Sequence, residues 1–84
     1  MKVGTYKGYP IYLSERTNKK YYALVDGRKI HFGDTCYTQY FDKMKQYSHL
    51  DNNDRERRRR YKLRHEKDRH EEGTAGWFAD QILW

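Results

Sequence analysis

The residues of this chain best suited to chemistry are arginines. Between Asp54 and His70 the sequence reads DRERRRRYKLRHEKDRH, which holds nine of the eighteen basic side chains. A guanidinium presents a planar fork of N–H donors that matches two phosphate or carboxylate oxygens at once. Wound into a helix, Arg55, Arg58, Lys62 and Arg69 tend to one side, while Arg57, Arg60, Arg64 and Lys67 spread over another. Such a concentration of charge repels itself unless acids, solvent or a polyanion offset it. Glu56, Glu66, Asp68, Glu71 and Glu72 offset part of it, mostly toward the C-terminal end. The chemistry this pattern supports is phosphate contact, in which neutralised phosphates release counterions and no base need be read. The competing reading is a solvated helix whose arginines pair with local acids.

A second group of candidates comes from the strand region. Tyr22, Lys29 and His31, with Tyr12 beside them, put aromatic and basic side chains on one face, flanked by Arg16, Lys19, Lys20 and Arg28. Aromatic rings among basic groups suit stacking on unpaired bases. Other chemistry is poorly served. In HEKDRH the histidines His65 and His70 stand five apart, not the four that places two ligands on one helical face, so no zinc site is expected. Tyr61 and His65 are four apart and share one helix face, with Tyr61 resting on the sheet and His65 a satisfied, buried or half-buried histidine. Cys36 lies near His31 in sequence without any further thiol-enzyme signature, and no Gly-rich phosphate loop or nucleophile elbow appears. Neither a catalytic residue nor a metal or cofactor is expected.

The elements that must position these groups follow from pattern. In KGYPIYLSE, Tyr9, Ile11 and Leu13 alternate with Pro10, Tyr12 and Ser14, and Pro10 points to an edge strand or a strand start. Asp26-Gly27 joins KKYYALV to RKIHF by the strongest short hairpin signal. A two-residue turn fixes the register: Val25 faces Arg28, Leu24 faces Lys29, Ala23 faces Ile30, Tyr22 faces His31 and Tyr21 faces Phe32. One face then carries Tyr21, Ala23, Val25, Ile30 and Phe32 as core. After Gly33, Tyr37, Tyr40, Phe41, Met44 and Tyr47 recur at helical spacing, opened by Asp34 or Thr35. Asp51 is the expected N-cap of the Arg-rich helix, which nothing breaks before Gly73. Thr74 caps a last helix that is apolar nearly all round, through Trp77, Phe78, Ile82, Leu83 and Trp84. The fold class is α+β. A three-stranded antiparallel meander over 1–33 precedes a helical, Arg-rich part over 34–72 and an apolar helix over 73–84, in one small domain.

Composition bounds the partners. The chain has 84 residues and a formal net charge of +6, with 36% charged but 17% aromatic residues. Large rings bury much area each, so a small core is feasible. A basic balance favours acidic partners. A single cysteine allows no internal disulfide and points to a reducing, intracellular setting. No apolar run approaches a membrane span, and the first residues, MKVGTYKGYPIYL, are too polar for a signal peptide.

The order HFGD at His31–Asp34, Tyr37 and Tyr40, RRRRYKLRH at Arg57–His65 and the ending GTAGWFADQILW resembles a family of small proteins of large DNA viruses of eukaryotes. That family is marked by a His-Phe-Gly turn, a basic Tyr-x-x-Arg-His helix and a Thr-Ala-Gly-(Trp/Phe) ending that closes on Leu-Trp. The likeness spans roughly residues 21 to 84. Some relatives have a shorter link between the two motifs, which leaves the role of 42–53 open. The resemblance implies a viral source and action in the host cell, in a virus factory, nucleus or virion. It implies no activity and so transfers no catalytic residue. The expected function is binding of nucleic acid, DNA before RNA, with little sequence specificity, as in genome packaging. It would use Arg55, Arg57, Arg58, Arg59, Arg60, Lys62 and Arg64 with Tyr22, Lys29 and His31. The alternative is an assembly or host-protein module, or a homo-oligomer, docking through Trp77, Phe78, Ile82, Leu83 and Trp84.

Overall fold

Two short turns in left-handed backbone organise the first part of the chain. Lys7 and Gly8 have φ of 48° and 87°, and Asp26 and Gly27 have 51° and 77°, the geometry that matches the twist of the flanking strands. In the computed structural model, which describes all 84 residues, they join β1 (Lys2–Tyr6) to β2 (Tyr9–Leu13) and β3 (Lys19–Val25) to β4 (Arg28–Asp34). The four strands form one antiparallel meander in the order β1-β2-β3-β4, not the three-stranded sheet expected. Because β1 pairs with β2, Pro10 is not on an edge strand. It sits opposite Thr5, and registered pairing with β3 begins one residue later at Ile11↔Ala23, so its missing N–H falls at the margin of that ladder. The β3–β4 register is the expected one at all five pairs from Val25↔Arg28 to Tyr21↔Phe32.

One face of this sheet is dry. Ile11, Tyr21, Ala23 and Phe32 are buried against α2 (Ala75–Leu83), which contributes Trp77, Phe78, Ile82 and Leu83. Thr74 caps that helix, its hydroxyl accepting the Trp77 N–H at 3.2 Å. Phe78 stacks on Phe32 with ring centroids 5.5 Å apart, and Tyr9 meets Phe78 edge-on at 5.2 Å. The apolar side chains considered for partner docking are thus spent inside the chain: Trp77, Phe78, Ile82 and Leu83 are buried, and Trp84 is half-buried against Tyr61. They are core because α2 is the helix that covers the apolar face of the sheet.

The stretch expected as a helix over Tyr37–Tyr47 is irregular apart from a 3₁₀ turn at Ser48–Leu50. Buried polar side chains give the reason. The Asp42 carboxylate, fully buried, accepts the main-chain N–H groups of Met44 (2.9 Å) and Tyr47 (2.8 Å) and the Tyr21 hydroxyl (2.5 Å). A side chain that captures N–H groups two and five residues ahead competes with the helical ladder. Asp51 repeats the device by accepting the Gln39 amide (2.6 Å) and the Asp42 N–H (2.9 Å). The aromatic spacing therefore divides: Met44 and Tyr47 pack on the core, whereas Tyr37 and Phe41 are exposed. The Arg-rich helix, α1, spans Arg55–Arg64 and is capped by Asp54, not Asp51. It stops well short of Gly73. There the chain turns back and the Arg69 Nε donates to the Lys62 carbonyl at 3.2 Å, satisfying one of the last carbonyls of the helix.

Asp42→Ala strands one hydroxyl and two N–H groups in a buried site. It should cost about 3 kcal/mol in urea unfolding, whereas Glu71→Ala, exposed, should change stability by less than about 0.5 kcal/mol.

Candidate functional site

The arginine helix presents two different faces. On the side turned to α2, Arg58 Nε donates to the Trp84 main-chain oxygen at 2.7 Å, and its guanidinium lies 4.9 Å from the Tyr40 ring centre. Lys62 Nζ is 2.9 Å from the Asp80 carboxylate, which is nearly fully buried, and Arg69 approaches the same carboxylate at 3.8 Å. These three cations fasten α1 to the core. Truncating Lys62 or Arg69 would leave the buried Asp80 carboxylate less satisfied.

The other face opens on a cleft of about 630 Å³. Arg57, Arg60, Tyr61, Arg64 and His65 line it, three and four residues apart, so they share one stripe of the helix. Tyr61 is held between Trp84 (ring centroids 4.3 Å apart, planes 7° apart) and His65 (4.2 Å), so it packs on the C-terminal tryptophan and not on the sheet. Burial, with Asp80 and Asp68 nearby, pushes its hydroxyl up to about 12. The opposite wall comes from the end of the β3–β4 hairpin and the loop after it: Lys19, Lys20, Gly33, Asp34, Tyr37 and Thr38.

Gly33 makes this wall possible. Its φ is 78°, and a Cβ there would lie 2.9 Å from Leu83 Cδ1 and 3.2 Å from Lys20 Cβ and Cδ. The space is shared by the end of α2 and the stem of Lys20, which runs inward beside the glycine. Lys20 is therefore not part of the outer sheet surface. Its ammonium donates to the side-chain oxygen of Gln39 and, at 3.0 Å, to the Tyr37 carbonyl. Burial draws its pKa below the ordinary lysine value, against the opposing pull of Asp42, Asp34 and Asp51.

The charge in the cleft is basic. Asp34 is the one acid in its lining, and it accepts the Cys36 N–H at 2.8 Å. Arg57 and Arg60 pair with Asp54 at 3.6 Å and Glu56 at 3.3 Å, yet both side chains are 62% exposed, so these pairs contribute little and can be exchanged. Glu56 also pairs with Arg59 at 2.5 Å, and this hydrogen bond, opposed by some desolvation, holds its carboxyl down to about 2. Arg64 forms no ion pair. A concave surface of one sign focuses the field and raises the local concentration of the opposite charge.

Of the expected site residues, Arg57, Arg60 and Arg64 meet at the cleft. Arg55 and Arg59 lie outside it on exposed helix surface, and Arg58 and Lys62 are engaged with α2. Tyr22, Lys29 and His31 form a separate, internally satisfied patch. Tyr22 stacks on Tyr12 at 5.0 Å, Lys29 Nζ sits 4.9 Å over the Tyr22 ring, and Glu15 lies 3.4 Å from Lys29. The His31 side chain is only 5% exposed, hydrogen-bonded through Nδ1 to Ser14 Oγ at 2.8 Å, with Glu15 3.6 Å from Nε2. Covered in this way, His31 offers no ring face to a base. Burial, the largest cause, together with Arg16 lowers its pKa. Neither cavity of the molecule is lined by Ser14, Glu15 or His31. Lys19, Tyr37 and Thr38 were missed as site residues; only their tertiary placement brings them to the arginines.

No family model, curated protein or solved structure matches this chain. No helix is long and apolar enough to cross a membrane.

The raised tyrosines set the alkaline behaviour. Tyr61 is lifted to about 12 and Tyr21 is raised as well, by burial first and by its bond to Asp42 second. Their neutral forms stabilise the fold fully below the unfolded value of about 10, and this contribution is lost as pH rises above it. The urea midpoint should fall between about pH 9 and pH 11.5, and Tyr61→Phe should make the fall shallower. A midpoint that stays flat over that range would refute the assignment.

Proposed function

We propose that this chain binds nucleic acid with little sequence specificity, through the cleft face of α1. What carries the reading is the alignment of Arg57, Arg60 and Arg64 on one stripe above a basic cleft, with Lys19 on the facing wall. Their guanidinium forks suit phosphate oxygens; Arg57 and Arg60 pair only with exposed carboxylates that a polyanion can displace, and Arg64 has no ion pair. Contacts of this kind carry no base information, so tolerance of sequence follows from their chemistry. The likeness to proteins of large DNA viruses is in keeping with a role in compacting or packaging a genome, with DNA the first ligand to try. Docking through the C-terminal helix is the weaker reading, since that helix is the cover of the sheet.

The test separates place from total charge. Arg57→Gln/Arg60→Gln/Arg64→Gln and Arg55→Gln/Arg59→Gln/Lys67→Gln remove the same three charges, from the cleft and from outside it. Binding to labelled oligonucleotides over about 50–300 mM salt should weaken more than tenfold in the first variant, with a flatter salt slope. The second should lose less than about threefold. Equal losses in both would reduce the interaction to net charge and sink the assignment to the cleft.

A further inference from the structure

We infer that the cleft accepts a single, unpaired strand and not the backbone of a duplex, with phosphates on Arg57, Arg60 and Arg64 and a base against Tyr37. This rests on the polyanion reading above and narrows its ligand.

The first reason is shape. A helix that reads duplex DNA stands free, so that its outer side can enter a groove about 12 Å wide. Here the side of α1 that carries the three arginines faces a wall formed by Lys19, Asp34, Tyr37 and Thr38. The cleft, about 630 Å³ and open on one side, is of the scale that takes a small organic ligand, such as one nucleotide with its phosphates. A double helix can meet this face only at its rim.

The second reason is the ring at that rim. Tyr37 is 69% exposed, the most exposed aromatic side chain of the fold. Tyr61, by contrast, has both faces covered by Trp84 and His65 and has none left for a base. The exposed Tyr37 is also held in place. Its N–H donates to the Asp34 carbonyl at 3.2 Å, and its carbonyl accepts the buried Lys20 ammonium at 3.0 Å. A large apolar ring anchored through its main chain beside three arginines is the arrangement that binds unpaired bases, where any base can stack and the backbone tracks the cations.

The third reason is charge placement. Thr38 adds a hydroxyl beside the tyrosine, and the lone acid of the lining, Asp34, is turned to its own loop by the Cys36 N–H. The carboxylates nearest the arginines, Asp54 and Glu56, are exposed partners of Arg57 and Arg60 that a phosphate can replace.

Competition between oligo(dT), oligo(U) and a duplex of equal length on the full chain tests this, at one salt concentration. Single strands should bind at least tenfold tighter than the duplex. Tyr37→Ala should reduce that preference about tenfold, and Tyr37→Phe should retain it. Duplex binding as tight as single-strand binding overturns this inference and leaves the polyanion reading intact. A single-strand preference that survives Tyr37→Ala overturns the role of the ring. Binding of none of the three probes overturns both readings together.

Discussion

A fully buried carboxylate, that of Asp42, holds together the part of the chain that has no regular structure. It takes the Tyr21 hydroxyl from the sheet and the Met44 and Tyr47 N–H groups from the loop, while Asp51 ties in Gln39 and Asp42 itself. Lys20 enters the same knot from the sheet through Gln39 and the Tyr37 carbonyl. About twenty residues without strand or helix are unusual in so small a domain and would ordinarily be mobile. Here each buried side-chain polar group has a partner, and these bonds tie the loop to the strands it lies on. The cleft depends on this. Its outer wall, Tyr37 and Thr38, is the first part of that loop, and a loop free to swing would leave the arginines of α1 facing open solvent.

The helix on the inner side poses the opposite problem, since it has almost no apolar face with which to dock. Tyr61 is its only buried residue, stacked on Trp84. The remaining attachment is ionic: Arg58 to the end of α2, and Lys62 and Arg69 to Asp80. Asp80 is the one charged position of α2, and its near-complete burial makes sense only with those two cations beside it. The same composition therefore serves two ends. Cations on one side of α1 are consumed in holding the helix, and that fixed hold points the cations of the other side into the cleft.

Much of this was legible where local rules dominate. The Asp-Gly turn fixed the β3–β4 register, Thr74 marked the start of α2, and the helical period separated Arg58 and Lys62 from Arg57, Arg60 and Arg64 before any contact was known. What escaped has specific causes. β1 offers only Val3 and Thr5 as an alternating strand signal, and its Lys7-Gly8 turn is weaker in sequence than Asp-Gly. The aromatic spacing after Gly33 is helical, but Asp42 diverts the N–H groups that a helix would need. The early end of α1 follows from Arg69 folding back on the Lys62 carbonyl, a contact that no propensity encodes. The wall of the cleft was invisible because Lys19, Tyr37 and Thr38 reach it only through tertiary placement, beside a glycine whose empty Cβ position lets Lys20 and Leu83 meet.

Total charge is therefore a poor guide to where this chain can engage a partner. Of the nine cations between Arg55 and Arg69, three are fixed on α2 and the main-chain groups around it, and Arg59 is closed on Glu56 at 2.5 Å. Arg57 and Arg60 retain exposed, exchangeable partners, and Arg64 has none. These three share a face because the period of the helix puts them there, and they face a concave wall because Asp42, Gln39 and Lys20 keep that wall in place. The apolar tail, consumed by the sheet, adds no outward surface. What the fold presents in the cleft is three arginines with exposed partners or none, opposite one exposed aromatic ring whose main chain is tied to the sheet.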